Sequence, residues 1–186
     1  MLPPLTLSGV LPPFQPELDP TISAGRSPYL VPPEDLVAAF ATSPERRLLL
    51  RDLFEYRRQL RELGLRDAFQ WIDGSFLEDV EMQRGRPPGD IDLVTFFVRP
   101  VDAVGQEEWG AFVAEHAAAF EAEGLALDCY AVDMSVPPAV VVRQTAYWYG
   151  LFSHQRETAL WKGMVQLDLA ADDTAALTMI EVLDAN

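Results

Sequence analysis

Residues 71–98 constrain the fold more than any other part of the chain. This stretch begins with an apolar segment at Trp71, passes through a Gly74-Ser75 turn and a loop rich in proline and glycine, and ends in the apolar run 91–98. This order predicts a β-strand, a sharp turn that opens a short helix, and a second β-strand. Because proline and glycine separate the two apolar runs, neither one helix nor one continuous strand can span the segment.

The second strand carries two aspartates. Side chains two residues apart on a strand lie on one face, about 7 Å apart along the chain, so Asp90 and Asp92 can converge on a divalent cation. Asp92 lies between Ile91 and Leu93, and a carboxylate in such surroundings is costly to bury without a partner or a metal ion. The alternative is a pair of solvated residues at the entrance of a strand.

The Gly74-Ser75 turn has a matching chemistry. Glycine lets the backbone approach a ligand closely, and free N–H groups at the start of a helix attract anions. The turn is therefore a candidate phosphate site, although an ordinary turn and helix cap has the same residues.

The remaining chain alternates helical and extended patterns. Nine of the fifteen prolines lie in residues 1–33, which predicts an extended arm packed along the domain, and residues 34–186 are expected to form one domain. The alternation predicts an α/β or α+β fold with a small mixed β-sheet flanked by helices. Helices are predicted at Pro33–Phe40, from Ser43 to Gly64, from Ser75 to about Met82, at Glu107–Glu123 and from Asp173 to Leu183. Strands are predicted at Leu65–Ile72, Ile91–Val98, Leu125–Met134 and Leu160–Leu169. Residues 139–149 are expected to begin extended at Val140–Val142 and then to turn helical.

Composition narrows the function classes. The net charge is −15, from 29 acidic and 14 basic residues, and such a surface repels polyanions, so no large nucleic acid is expected as a partner. The single cysteine, Cys129, excludes an internal disulfide and a cysteine-based zinc cluster. No signal peptide pattern and no apolar run of about 20 residues is found. We therefore expect a cytoplasmic protein that does not associate with membranes.

The motifs Ile72-Asp-Gly-Ser-Phe and Gly89-Asp-Ile-Asp-Leu resemble the signature of the nucleotidyltransferase superfamily typified by DNA polymerase β. Over most of its length the chain resembles a small bacterial family within it. The resemblance implies a nucleotidyltransferase-like fold and transfer of a nucleoside monophosphate from a nucleoside triphosphate such as ATP. It also implies that Gly74 and Ser75 hold the triphosphate, that Asp90 and Asp92 bind two Mg²⁺ ions, and that a third carboxylate lies on an adjacent strand.

Alternation along the predicted strand 125–134 bears on the third carboxylate. Residues 125, 127, 129 and 131 form an apolar face, so Asp128 points to the other face. Asp133 lies at the strand end on the apolar side. This pattern favours Asp128 as the third catalytic and metal-binding residue, with Asp133 as the alternative.

Several contacts remain open at this stage. Lys162 is a candidate phosphate contact or a solvated charge, and Tyr147, Trp148, Tyr149 and Trp161 can stack a base or pack in the core. The acceptor is expected to be a protein, a small molecule or an RNA end, and a partner protein can complete the site. The competing hypothesis is a catalytically inactive nucleotidyltransferase-like binding module, as half of a toxin–antitoxin or phage-defence pair.

Overall fold

The apolar runs of the sequence assemble into a five-stranded mixed β-sheet in a computed structural model, which describes residues 1–19 and 21–185. Pro20, in the predicted arm, and Asn186, in the predicted domain, lie outside the described residues. The strands are β1 (Tyr29–Leu30), β2 (Arg66–Asp73), β3 (Ile91–Val98), β4 (Leu127–Asp133) and β5 (Val165–Asp168). The helices of the described residues are α1 (Pro33–Phe40), α2 (Pro44–Glu62), α3 (Val80–Arg84), α4 (Gln106–Glu115), α5 (Ala117–Phe120), α6 (Pro138–Phe152) and α7 (Thr174–Asp184), with single 3-10 turns at Ser23–Gly25 and Ser75–Leu77.

The strand order is β1-β5-β2-β3-β4. Strand β2 pairs antiparallel with both β3 and β5, whereas β3 pairs parallel with β4 and β1 pairs parallel with β5. The expected α+β class and mixed sheet are confirmed. The antiparallel β2–β3 pair and the parallel β3–β4 pair place the three strands that carry the candidate residues side by side.

The two faces of the sheet are covered unequally. One face packs against α1, α2 and α7 in the larger core cluster, which includes Ile72 and Leu93. The other face carries the smaller cluster around Trp71 and Val94, and its helical cover comes from α6 through Phe152 and Trp148. Because consecutive strand residues point to opposite faces, the even-numbered residues of β3 belong to the thinly covered face.

The first helices begin where the sequence predicts. Both α1 and α2 have proline in their first turn, where its missing N–H costs nothing, and Ser43 caps α2 by accepting a hydrogen bond from the Arg46 N–H at 3.3 Å. The arginines of α2 pair with the protein's own carboxylates. Arg46 donates to both oxygens of Glu81, and the fully buried Arg57 pairs with Asp173 at 3.0 Å.

Four element predictions need correction. The helix expected from Ser75 is a 3-10 turn followed by α3, because Asp79 rather than Ser75 caps the helix at Met82 N–H. Val140–Val142 are helical within α6, since Pro138 at its first turn favours helix over the β-branched preference. The helix predicted at 107–123 breaks at His116 between α4 and α5, and the last strand begins at Val165 rather than Leu160.

Residues 1–33 contribute to the structure through short elements and backbone contacts. Leu2, Leu11 and Tyr29 are buried in the larger core cluster, and β1 extends the sheet. The Gly9 carbonyl accepts from the Asp79 N–H at 2.8 Å. The boundary at residue 33 between an arm and a domain stays a prediction.

Candidate functional site

Three aspartates form a row across the thinly covered face of the sheet. In the strand register Asp73 of β2 lies opposite Asp92 of β3, and Asp92 lies opposite Asp128 of β4. Directly paired residues on neighbouring strands point to the same face, so the three carboxylates, here called the acidic row, share one side of the sheet. Asp128 therefore points to the face that carries Asp92, away from the apolar face of residues 125, 127, 129 and 131.

The centre of the row is electrostatically unfavourable. Asp92 is half-buried, whereas Asp90 and Asp128 are exposed. Burial raises the pKa of Asp92, and the charges of Asp90 and Asp128 raise it further, against smaller opposing effects of Lys162 and Arg156. The protein thus gathers negative charge around Asp92 without an equal positive charge beside it.

The turn at Gly74 lies directly against Asp92. Gly74 has φ 80° and ψ −167°, a conformation that is essentially restricted to glycine. A Cβ placed on Gly74 would lie 1.9 Å from Asp92 Oδ2 and 2.8 Å from its Cγ. The absence of a side chain at Gly74 is therefore what lets the Asp92 carboxylate occupy its position.

Ser75 opens a 3-10 turn rather than an α-helix. Within this turn the Glu78 N–H donates to the Ser75 carbonyl at 3.2 Å, and the Leu77 N–H donates to the Gly74 carbonyl at 3.4 Å. The N-cap residue of this turn is Gly74, which has no side chain to cap it. The full helix dipole expected at this position is absent, and only the first N–H groups of a short turn adjoin the acidic row.

Lys162 contacts the Gly74 turn and two carboxylates of the protein. Its ammonium donates to Glu78 Oε1 at 2.9 Å and to the Gly74 carbonyl at 3.2 Å, and lies 3.2 Å from Asp73 Oδ1. The side chain is only 3% exposed, so Lys162 is not a solvated charge. Burial alone would lower the pKa of Lys162, but Asp73 and Glu78 together raise it. The ammonium stays charged and is engaged by the protein's own groups, so the phosphate contact predicted for it stays a prediction.

Asp73 is the most buried member of the row, at 5% exposure. Burial raises its pKa to about 7, against the opposing effect of Lys162, and the nearby charge of Asp92 adds to the increase. Its Oδ1 lies within ion-pair distance of Lys162 but has no aligned hydrogen bond within residues 1–19 and 21–185. Asp73 is thus a buried carboxyl that pairs with Lys162 and lies opposite Asp92.

The outer end of the row meets an aromatic group. The Tyr130 hydroxyl donates to Asp128 Oδ2 at 3.0 Å, and its ring packs 4.4 Å from that of Trp148 on α6. Asp133, the alternative third carboxylate, lies at the other end of β4 and pairs with Arg99 at 2.6 Å. Of these two aspartates, Asp128 is the one in register with Asp92, whereas Asp133 lies opposite Phe97.

Comparison with known proteins identifies the family to which the chain belongs. A protein family described as a family of unknown function (DUF6932) matches residues 3–168, which is most of the 186-residue chain. The chain belongs to DUF6932. No curated protein and no solved structure gives a significant match.

The donor set of this DUF6932 protein suits a hard cation in chemical type. Asp90, Asp92 and Asp128 offer carboxylate oxygens, the ligands that Mg²⁺ prefers, and a cation would relieve the charge repulsion that raises the pKa of Asp92. In the part of the chain that the structure describes, however, no three His, Cys, Asp or Glu side chains are grouped closely enough to hold a metal ion. The residue types therefore suit Mg²⁺, but the side chains in the described ranges are not grouped as a metal site.

Two features of the DUF6932 site were missed by sequence reasoning. The buried Lys162–Glu78 pair joins residues 84 positions apart, and no local pattern indicates such a contact. The inward position of Asp73 could have been derived, because it shares strand parity with Trp71.

None of the helices in the described ranges has the length and apolar character needed to cross a bilayer.

Proposed function

We propose that the protein is a metal-dependent nucleotidyltransferase of the DNA polymerase β type, which transfers a nucleoside monophosphate from a nucleoside triphosphate to an acceptor hydroxyl. The observation that carries this proposal is the register of Asp92 with Asp128, with the glycine turn at Gly74 directly against Asp92. Acidic side chains on adjoining strands beside a backbone turn without a Cβ are what triphosphate and cation binding require.

Each residue has a role in this proposal. Asp90, Asp92 and Asp128 would hold two Mg²⁺ ions, and the backbone at Gly74 and Ser75 would face the triphosphate. When bound, paired cations stabilise the charge on the attacking and leaving oxygens of an in-line displacement. Lys162 would keep the Gly74 turn in place through its contact with the Gly74 carbonyl.

The bond changes are those of a single displacement. The acceptor oxygen forms a bond to the α-phosphorus, the bond between that phosphorus and the bridging oxygen of pyrophosphate breaks, and the hydroxyl proton passes to a carboxylate of the acidic row.

Residues 1–33 have a supporting role in this proposal. The Leu11 carbonyl accepts from the Gly163 N–H at 2.7 Å, and the Gly9 carbonyl accepts from the Asp79 N–H. Both contacts flank the Lys162–Glu78 pair in sequence. The arm would therefore brace the segment that supports Gly74.

A second candidate is a nucleotidyltransferase-like module that binds a nucleotide or a partner protein without catalysis. Two observations favour it: the Lys162 ammonium is already engaged by Asp73 and Glu78, and the described carboxylates are not drawn together around a cation position.

The discriminating experiment is a thermal-shift screen of the four nucleoside triphosphates with and without Mg²⁺, on the wild type and on Asp92→Ala. Transferase function predicts stabilisation that needs both Mg²⁺ and Asp92, followed by transfer of α-phosphate label to a protein, small-molecule or RNA acceptor. Stabilisation without transfer to any of these acceptors supports the second candidate. Absence of any metal-dependent stabilisation of the wild type contradicts the transferase proposal.

A further inference from the structure

Helix α6 is a 15-residue helix that leaves most of its apolar surface exposed. Only Phe152 is buried, while Val142, Tyr147 and Leu151 are 66%, 62% and 47% exposed. Exposed apolar surface of this kind is a candidate ligand or partner site. The question is which ligand fits the aromatic end of this helix.

The aromatic residues of α6 connect to the acidic row. Tyr130, Tyr147 and Trp148, here called the aromatic cluster, are in mutual contact through Trp148, whose ring lies 4.4 Å from Tyr130 and 5.2 Å from Tyr147. Tyr130 is also bonded to Asp128. Trp148 is half-buried against the smaller core cluster, whereas Tyr130 and Tyr147 are exposed. The aromatic cluster thus packs on the core through Trp148, faces solvent at Tyr130 and Tyr147, and contacts Asp128 through Tyr130.

We propose that the aromatic cluster binds the nucleobase of the nucleoside triphosphate by stacking, chiefly on the exposed ring of Tyr147. This inference rests on the proposed function, because it uses the acidic row as the triphosphate end of the same ligand. Aromatic rings bind any base through its π-face, and Tyr130 links the ring surface to the carboxylate that would adjoin the phosphates.

A base is a better match to this surface than a protein partner. The chain carries a net charge of −15, but the sole charged residue of α6 is Arg143, so the helix offers an almost neutral surface beside a strongly acidic site. A nucleotide suits both surfaces: its planar base can contact the nearly neutral helix, and cations at the acidic row can neutralise its phosphates.

The test compares a nucleotide with a probe that lacks the base. Binding of each nucleoside triphosphate and of inorganic tripolyphosphate is measured by isothermal titration calorimetry with Mg²⁺ on the wild type, Tyr147→Leu and Tyr147→Phe. Because stacking on one aromatic side chain is typically worth 5- to 150-fold in affinity, roughly, Tyr147→Leu should weaken nucleotide binding by that factor and leave tripolyphosphate binding unchanged. Tyr147→Phe, which keeps the ring, should bind nucleotide like the wild type.

Control variants and opposite results separate the alternatives. Val142→Ala alters an exposed apolar residue of the same helix outside the aromatic cluster and should leave nucleotide binding unchanged. Unaltered nucleotide affinity in Tyr147→Leu overturns the stacking proposal and leaves the transferase proposal intact. If the wild type binds neither nucleotide nor tripolyphosphate, the proposed function fails, and the stacking site fails with it.

Discussion

Replacing Gly74 with alanine should test the contact on which the candidate site depends. At φ 80° and ψ −167° a residue with a Cβ pays a backbone strain of about 1–3 kcal/mol. The added Cβ also cannot coexist with the present Asp92 side chain. It would lie 1.9 Å from Oδ2, whereas real Cβ atoms essentially never approach closer than 3.0 Å, so the carboxylate must move by at least the difference of 1.1 Å.

Rotation of the carboxylate plane does not relieve this clash, because the Asp92 Cγ would itself lie 2.8 Å from the new Cβ. The whole side chain must therefore change position. Metal sites tolerate ligand displacements of only about 0.2 Å, and loss of a positioning contact weakens metal affinity by roughly 10- to 100-fold. We expect Gly74→Ala to weaken Mg²⁺-dependent binding of nucleoside triphosphate by that factor.

Gly64→Ala is the matched control. Gly64 also has a positive φ, of 72°, but no described atom lies within 4 Å of its ideal Cβ position, so this variant has strain of about 1–2 kcal/mol without a clash. Urea unfolding gives the stability of each variant, and calorimetric titration with Mg²⁺ and nucleotide gives its affinity. The reasoning is refuted if Gly74→Ala binds nucleotide as tightly as Gly64→Ala.

Three further substitutions probe the charges of the site. Asp92→Asn should raise stability without metal by about 0.5–2 kcal/mol, because it removes a half-buried charge that faces Asp90 and Asp128; a lower midpoint of urea unfolding at pH 7 would count against this. The pKa of Asp73 is raised to about 7, so the folded state binds the Asp73 proton more tightly than the unfolded state does. The wild type should therefore lose stability relative to Asp73→Asn as pH rises from about 4 to about 7. Parallel profiles of urea stability against pH for the two proteins would contradict that assignment. Lys162→Met should cost about 3–5 kcal/mol in urea unfolding because it leaves two buried carboxyls without their cation, and a loss below about 1 kcal/mol would show that the ion pairs do not hold the turn.

Local patterns were sufficient for much of the framework. The apolar run 91–98 is bounded by Asp90 and Pro100, and it forms β3 over that range. Alternation of apolar residues in β4 assigned Asp128 to the face that carries Asp92. These predictions succeed because strand periodicity and helix caps depend on residues close together in sequence.

Other features depend on contacts that a single sequence does not reveal. The helix predicted from Asp173 begins at Thr174, and Asp173 is its N-cap residue, but the Asp173 side chain does not cap it. The carboxylate pairs with Arg57 and Arg61 of α2, since a buried arginine demands a carboxylate partner. Likewise, Lys162 could be judged solvated only while its distant partner Glu78 was unknown. Tertiary charge pairing outweighed the local preference in both cases.

The central claim is that the acidic row and the Gly74 turn bind a metal–nucleotide complex. The most direct measurement is a crystal structure with Mn²⁺ and a non-hydrolysable nucleoside triphosphate analogue, in which anomalous scattering locates the cations. The account predicts two Mn²⁺ peaks held by Asp90, Asp92 and Asp128, with the triphosphate against Gly74 and Ser75. Mn²⁺ and nucleotide bound elsewhere, or an acidic row with neither bound at saturating concentration, would contradict it.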